Sequence, residues 1–174
     1  MTFLRSQTLL LAGVALLTAA SGGRAQVEDD AGLFDADTIA RANRQIEDMQ
    51  KQTGKGFIIA TIKEAPAELL KKYNLLDAGQ RRDFFDAVCA ARLKGREFQG
   101  VYALISEDPK DIHVLVVPES NGKLFTPLNR GRLRDILIKR VQPDNPDQGV
   151  FQRMRNSMRS PRPNEGLVCA LDAI

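Results

Sequence analysis

Tryptophan is absent from this 174-residue chain, histidine occurs once and cysteine twice. The lone histidine, His113, rules out a metal centre built from several imidazoles, and two cysteines cannot complete a zinc site in their place. A Ser-His-Asp triad would have to use His113, yet no Gly-x-Ser-x-Gly elbow is present to carry the nucleophile. Walker-type and Gly-x-Gly-x-x-Gly phosphate loops are missing too. There are no internal repeats, and the longest apolar block, Thr8 to Ala20, is too short for a comfortable membrane span.

What is present begins with a segment of its own composition. Arg5 lies in a short basic head, the apolar block follows, and small residues occupy Gly23 and Ala25, the pattern of a secretory signal cleaved after Ala25. A periplasmic or secreted protein is therefore expected. Removing residues 1–25 takes away Arg5 and Arg24 and no acid, which lowers the formal charge from +3 to +1. A nearly neutral, exported chain has no general bias towards nucleic acid.

The stretch from Phe98 to Pro118 organises the remainder. Gly100 to Ile105 and Ile112 to Val117 are two nearly continuous apolar runs joined by the polar segment Ser106 to Asp111. Uninterrupted apolar strands are covered on both faces, which indicates a layered α/β domain. Before them, Val27 to Phe34 reads as an extended lead-in with a turn at Gly32. Ile39, Ala42, Ile46 and Met49 then form a helical stripe that Asp35 or Asp37 caps and Gly54 closes. Phe57 to Ile62 is a strand, Pro66 to Tyr73 a short helix, and Phe84, Phe85, Val88, Cys89 and Leu93 mark the next helix. Leu133, Ile136, Leu137 and Val141 form a further stripe, and Val150, Phe151, Met154 and Met158 another. A flexible break at Ser160 to Glu165 leads to an apolar tail. The expected division is a signal (1–25), one α/β domain (26–160), and a linker with tail (161–174).

Carboxylates are the candidate chemistry. Glu28, Asp29 and Asp30 precede the first helix, and Glu107 and Asp108 with Asp111 flank the turn between the central strands; such oxygen groups suit Ca²⁺ or Mg²⁺, against the plainer reading of solvated loop acids. His113, inside a strand, reads as a satisfied core or sheet-edge residue before it reads as a base. The C-terminal half is locally basic, including Arg130 and Arg134. There Arg132, Lys139 and Arg140 are either a solvated helix face or a contact for an anionic membrane surface. Cys89 and Cys169 are small buried hydrophobes or, in an oxidising compartment, a disulfide pair.

Val27-x-Asp29-x-Ala31-Gly32-Leu33, the helix ending Gln52-Thr53-Gly54, the strand Gly56 to Ile62, and Gln99-Gly100-Val101-Tyr102-Ala103-Leu104-Ile105 with its second strand resemble the TPM domain family over about Val27 to Ser160. Members are exported or thylakoid-lumen domains, some linked to photosystem repair and described as acid phosphatases, with an α/β/α sandwich fold. The resemblance implies a three-layer sandwich with a small mixed sheet. Two places depart from the family pattern: Phe98-Gln99-Gly100 stands where the family usually has Asp-Asn-Gly, so the acid is missing, and Lys110 is nearest to the usual arginine before the second strand. The expected role is thus an accessory or interaction module of the cell envelope with an envelope protein partner. The alternative is a metal-assisted acid phosphatase using the N-terminal and turn carboxylates.

Overall fold

The computed structural model describes residues 26–117, 125–141 and 162–173. The expected signal segment and the expected helix at Val150 to Met158 lie outside the described residues. Among the described residues four strands and five helices follow one another as β1 (Gln26–Asp29), α1 (Ala36–Thr53), β2 (Gly56–Glu64), α2 (Ala67–Leu70), α3 (Ala78–Leu93), β3 (Gly100–Asp108), β4 (Asp111–Val117), α4 (Pro127–Arg140) and α5 (Pro163–Asp172). The sheet order is β1-β2-β3-β4, with the first three strands parallel and β4 antiparallel to β3. This is the expected α/β/α sandwich with a mixed sheet.

Alternation along the strands divides the core into two. Phe57, Ile59, Val101, Ala103, Ile112 and Val114 face a layer made by α1, α4 and α5. Ile58, Ala60, Tyr102 and Leu104 face Phe84, Phe85, Val88 and Cys89 of α3. Both crossovers, β1-α1-β2 and β2-α3-β3, step in the same direction across the sheet, yet their helices cover opposite faces. They are therefore of opposite hand, and one runs against the right-handed preference of such units. That departure is what covers both faces of so small a sheet and explains the unbroken apolar runs in β2 and β3.

Local chemistry sets the helix ends. Asp35 accepts from the Thr38 amide at 2.7 Å and caps α1, a bond that holds its carboxyl below the usual range. Gly54 closes the helix with φ of 68°. Asp77 and Thr126 cap α3 and α4 in the same way, and Pro127 occupies the first turn of α4. Between β2 and β3 the backbones meet closely. A Cβ at Gly100, where φ is 149°, would lie 1.8 Å from the Gly56 carbonyl oxygen.

Several expectations change. The lead-in at Val27 is a strand, paired in parallel with β2 from Gln26↔Ile58 to Asp29↔Thr61. With only Val27 buried and acids at both Glu28 and Asp29, its four residues carry too little apolar pattern to be recognised alone. The polar segment between the central strands shrinks to a turn at Pro109 and Lys110, because Ser106 and Asp111 pair across the ladder and are buried. Pro163 to Glu165, expected in a flexible break, form the first turn of α5, whose Gly166, Leu167, Ala170 and Leu171 are buried. The disulfide is not formed. Cys89 is buried on the α3 side and Cys169 is exposed on α5, so the sheet lies between two free thiols. A bridge needs Cα atoms within about 7 Å, whereas packed layers are about 10 Å apart.

Candidate functional site

Strand β4 is the outer strand of the sheet among the described residues, and a groove of about 690 Å³ runs along it between the N-terminal halves of α3 and α4. Alternation sends Asp111, His113 and Leu115 towards α3, while Ile112 and Val114 enter the opposite layer. Asp111 is the anchor, its side chain only 6% exposed. Arg81 of α3 donates through Nε to Asp111 Oδ2 at 2.8 Å, and Arg134 of α4 reaches Asp111 Oδ1 at 3.5 Å. Arg134 also donates through Nε to the Ile112 carbonyl at 2.8 Å. One carboxylate therefore ties both helical layers to the start of the edge strand. Desolvating that carboxylate costs several kcal/mol on the order of magnitude, a cost that two guanidinium groups offset.

The α3 wall is ordered by i,i+4 pairs. The Arg81 guanidinium carbon sits 5.6 Å from the centroid of Phe85, which in turn stacks on His113 at 6.1 Å. His113 Nε2 lies 2.8 Å from Asp86 Oδ1, so the histidine is satisfied at the sheet edge, as its place in a strand suggested. Arg82 and Arg130 complete the walls, one from each helix. Arg82 is 77% exposed, with Asp86 at 3.8 Å, and Arg130 is exposed. Among the described residues no serine, threonine, cysteine or lysine lines the groove. The arrangement suits recognition of an anionic group.

The sequence candidates fall elsewhere. Asp29 ends β1 and accepts from the amides of Leu33 (3.0 Å) and Phe34 (2.9 Å) and from the Thr61 hydroxyl (2.6 Å). It shapes the turn at Gly32, and its oxygens are occupied. Asp30 accepts from Arg92 at 2.8 Å. Glu107 and Asp108 are the exposed last residues of β3, where the Asp108 carbonyl accepts from the Ala65 amide. Among the described residues no group of three or more His, Cys, Asp or Glu is placed to hold a metal ion. Arg132 and Lys139 are exposed on α4, on the side away from Arg130 and Arg134 by the helical repeat. Arg140 lies 3.6 Å from Glu165 and helps to hold α5.

A second polar cluster secures α3 to the other edge of the sheet. Arg92 donates to the Tyr102 hydroxyl at 3.0 Å and reaches Glu28 as well as Asp30, and Arg96 pairs with Glu28. Burial pushes the Tyr102 hydroxyl up to about 12 against the opposing pull of Arg92. Burial, with Asp86 nearby, likewise pushes the Cys89 thiol up to about 12.

Sequence reasoning singled out Asp111, His113, Arg130 and Arg134 separately and missed Arg81, Arg82 and Asp86. The period of two places Asp111 and His113 on one face of a strand, and that signal alone could have paired them with a helix. No family model matches this chain, and no curated protein matches it. Its fold is similar to the solution structure of the N-terminal domain of a protein from P. gingivalis, at 14% identity and a TM-score of 0.48, over 88% of this chain and 83% of that one. No helix of the described residues is long and apolar enough to cross a membrane.

Proposed function

We propose that this chain is a TPM-like domain exported to the cell envelope, periplasmic or secreted, where it acts as an accessory or interaction module. The observation that carries the reading is the arginine-lined groove along β4, which is braced from both layers by Asp111. Concave, rigidly supported, charged surfaces are suited to recognition. The phosphatase alternative draws on other residues: Asp29 and Asp30 are engaged by the β1 turn and by Arg92, and no metal-holding cluster occurs among the described residues.

The test is affinity capture from envelope extract with the native chain and with an Arg82→Glu/Arg130→Glu variant, beside a phosphomonoester assay with Mg²⁺, Ca²⁺ or EDTA. A reproducible partner captured by the native chain and lost in the variant, with no turnover, is expected. Metal-dependent turnover abolished by Asp29→Asn would overturn the reading, as would capture indifferent to the two arginines.

A further inference from the structure

We propose that the groove takes an extended acidic peptide segment, which adds to the outer edge of β4 as a further strand. This rests on the interaction-module reading above and names the partner's chemistry. The floor of the groove is strand β4, from Asp111 to Leu115. Because Arg134 takes the Ile112 carbonyl, that carbonyl points away from β3; orientation repeats every two residues in an antiparallel ladder, so Val114 turns its N–H and C=O the same way. Val114 lines the groove, which therefore offers the outward N–H and C=O of that residue to an incoming backbone.

The walls select the charge. A strand lying beside β4 sends alternate side chains to opposite faces, one set towards Arg82 on α3 and the other towards Arg130 on α4. Four guanidinium groups and two carboxylates line the groove, and the inner two guanidiniums already share Asp111. Asp86 lies 3.8 Å from Arg82, yet the carboxylates are outnumbered by the arginines and the groove keeps a positive excess. Exposed Arg130 on the α4 wall and 77%-exposed Arg82 on the α3 wall are placed to meet acids of the incoming strand. Leu76 (96% exposed) and Leu128 (80% exposed) lie within two residues of the groove residues Ala78 and Pro127. They supply apolar contact at the rim, which a partner of more than isolated charges would use.

The rival occupants fit less well. A flat anionic membrane meets the rim without reaching the floor. The chain's own residues 142–161 carry Arg153, Arg155 and Arg159 against Asp144 and Asp147, a positive excess that the arginine walls repel.

The experiment titrates the purified exported chain with a labelled nonapeptide alternating Val or Thr with Glu or Asp. Comparison probes are its Lys/Arg counterpart, the acidic peptide N-methylated along one edge, inorganic phosphate, and phosphatidylglycerol vesicles. Expected are binding of the acidic peptide alone, protection of the Val114 amide from hydrogen exchange, and an affinity about tenfold weaker in Arg82→Glu/Arg130→Glu and falling with salt. Equal binding of the N-methylated peptide reduces the interaction to ion pairing and overturns strand addition. Absence of peptide binding, or binding of vesicles or phosphate in its place, overturns it too. If the peptides fail while Arg82 and Arg130 still govern capture of an envelope partner, strand addition is wrong and the module reading stands; if both fail, both fall.

Discussion

Arg81 Nε lies 2.8 Å from Asp111 Oδ2, a contact between an α3 side chain and the first residue of the edge strand, 30 positions later in the chain. Arg134 meets the same carboxylate from the other layer. Asp111 is therefore where two layers and one strand are registered against one another.

Removing that carboxylate leaves two guanidinium groups without their shared partner in a largely buried place. Asp111→Ala is expected to cost about 3 kcal/mol, and Asp111→Asn less, since the amide oxygen still accepts. Combining Asp111→Ala with Arg81→Met should cost less than the two single changes together, because each removes part of the same interaction. Urea midpoints with an unchanged slope would read this out. A loss below about 0.5 kcal/mol for Asp111→Ala would show that the contact is incidental.

The groove also marks the limit of what the residues declare before folding. Strands β2, β3 and β4, the cap at Asp35 and the left-handed Gly54 were legible, since apolar continuity and capping chemistry are local. Strand β1 was not, because its status comes from pairing with Ile58 to Thr61 and not from its own four residues. The site was least legible. Arg81 and Arg134 are 53 positions apart and read as ordinary helix-surface cations; only the fold, which packs α3 and α4 on opposite faces of the sheet beside β4, brings both to Asp111. The carboxylates that looked most like chemistry, Asp29 and Asp30, answer to a turn and to an arginine that sequence could not assign.

The close approach of β2 and β3 predicts a contrast between two glycines. At Gly100 an added Cβ would lie 1.8 Å from the Gly56 oxygen, and the backbone there has φ of 149°. Gly100→Ala must separate the central strands or bend one of them, and a loss of about 3 kcal/mol or more is expected. Gly131, exposed inside α4, has no heavy atom within 4 Å of an added Cβ. Gly131→Ala should gain about 1 kcal/mol from helix propensity. Thermal melts of the two variants should move in opposite directions, and a tolerated Gly100→Ala would contradict the close β2–β3 contact.

The cysteines separate by reactivity. Cys169 is exposed and Cys89 is buried with its thiol pushed up to about 12, so a thiol reagent should label one site in the native protein and two after unfolding without reductant. Peptide mapping should place the native label on Cys169. Fewer than two thiols in the unfolded, unreduced protein would indicate a bridge that the intervening sheet forbids.

Alkaline stability follows from the same burial. The folded chain holds Tyr102 and Cys89 protonated up to about 12, whereas unfolded they titrate near 10.0 and 9.0. Below pH 9 both states carry these protons and neither group changes the balance. Above that, the unfolded chain releases protons that the fold retains, so stability falls by up to about 1.4 kcal/mol per pH unit for each titrating group until the folded values are passed. Cys89→Ala should make the decline shallower from about pH 9, and Tyr102→Phe from about pH 10. At neutral pH, Tyr102→Phe should cost about 1 kcal/mol through the acceptor that Arg92 loses. Urea midpoints of the variants across pH 7 to 11 measure the difference from the native chain, so titration of groups common to all three cancels. Parallel curves would mean that water reaches Tyr102, and the network joining α3 to β1 would then be looser than its hydrogen bonds imply.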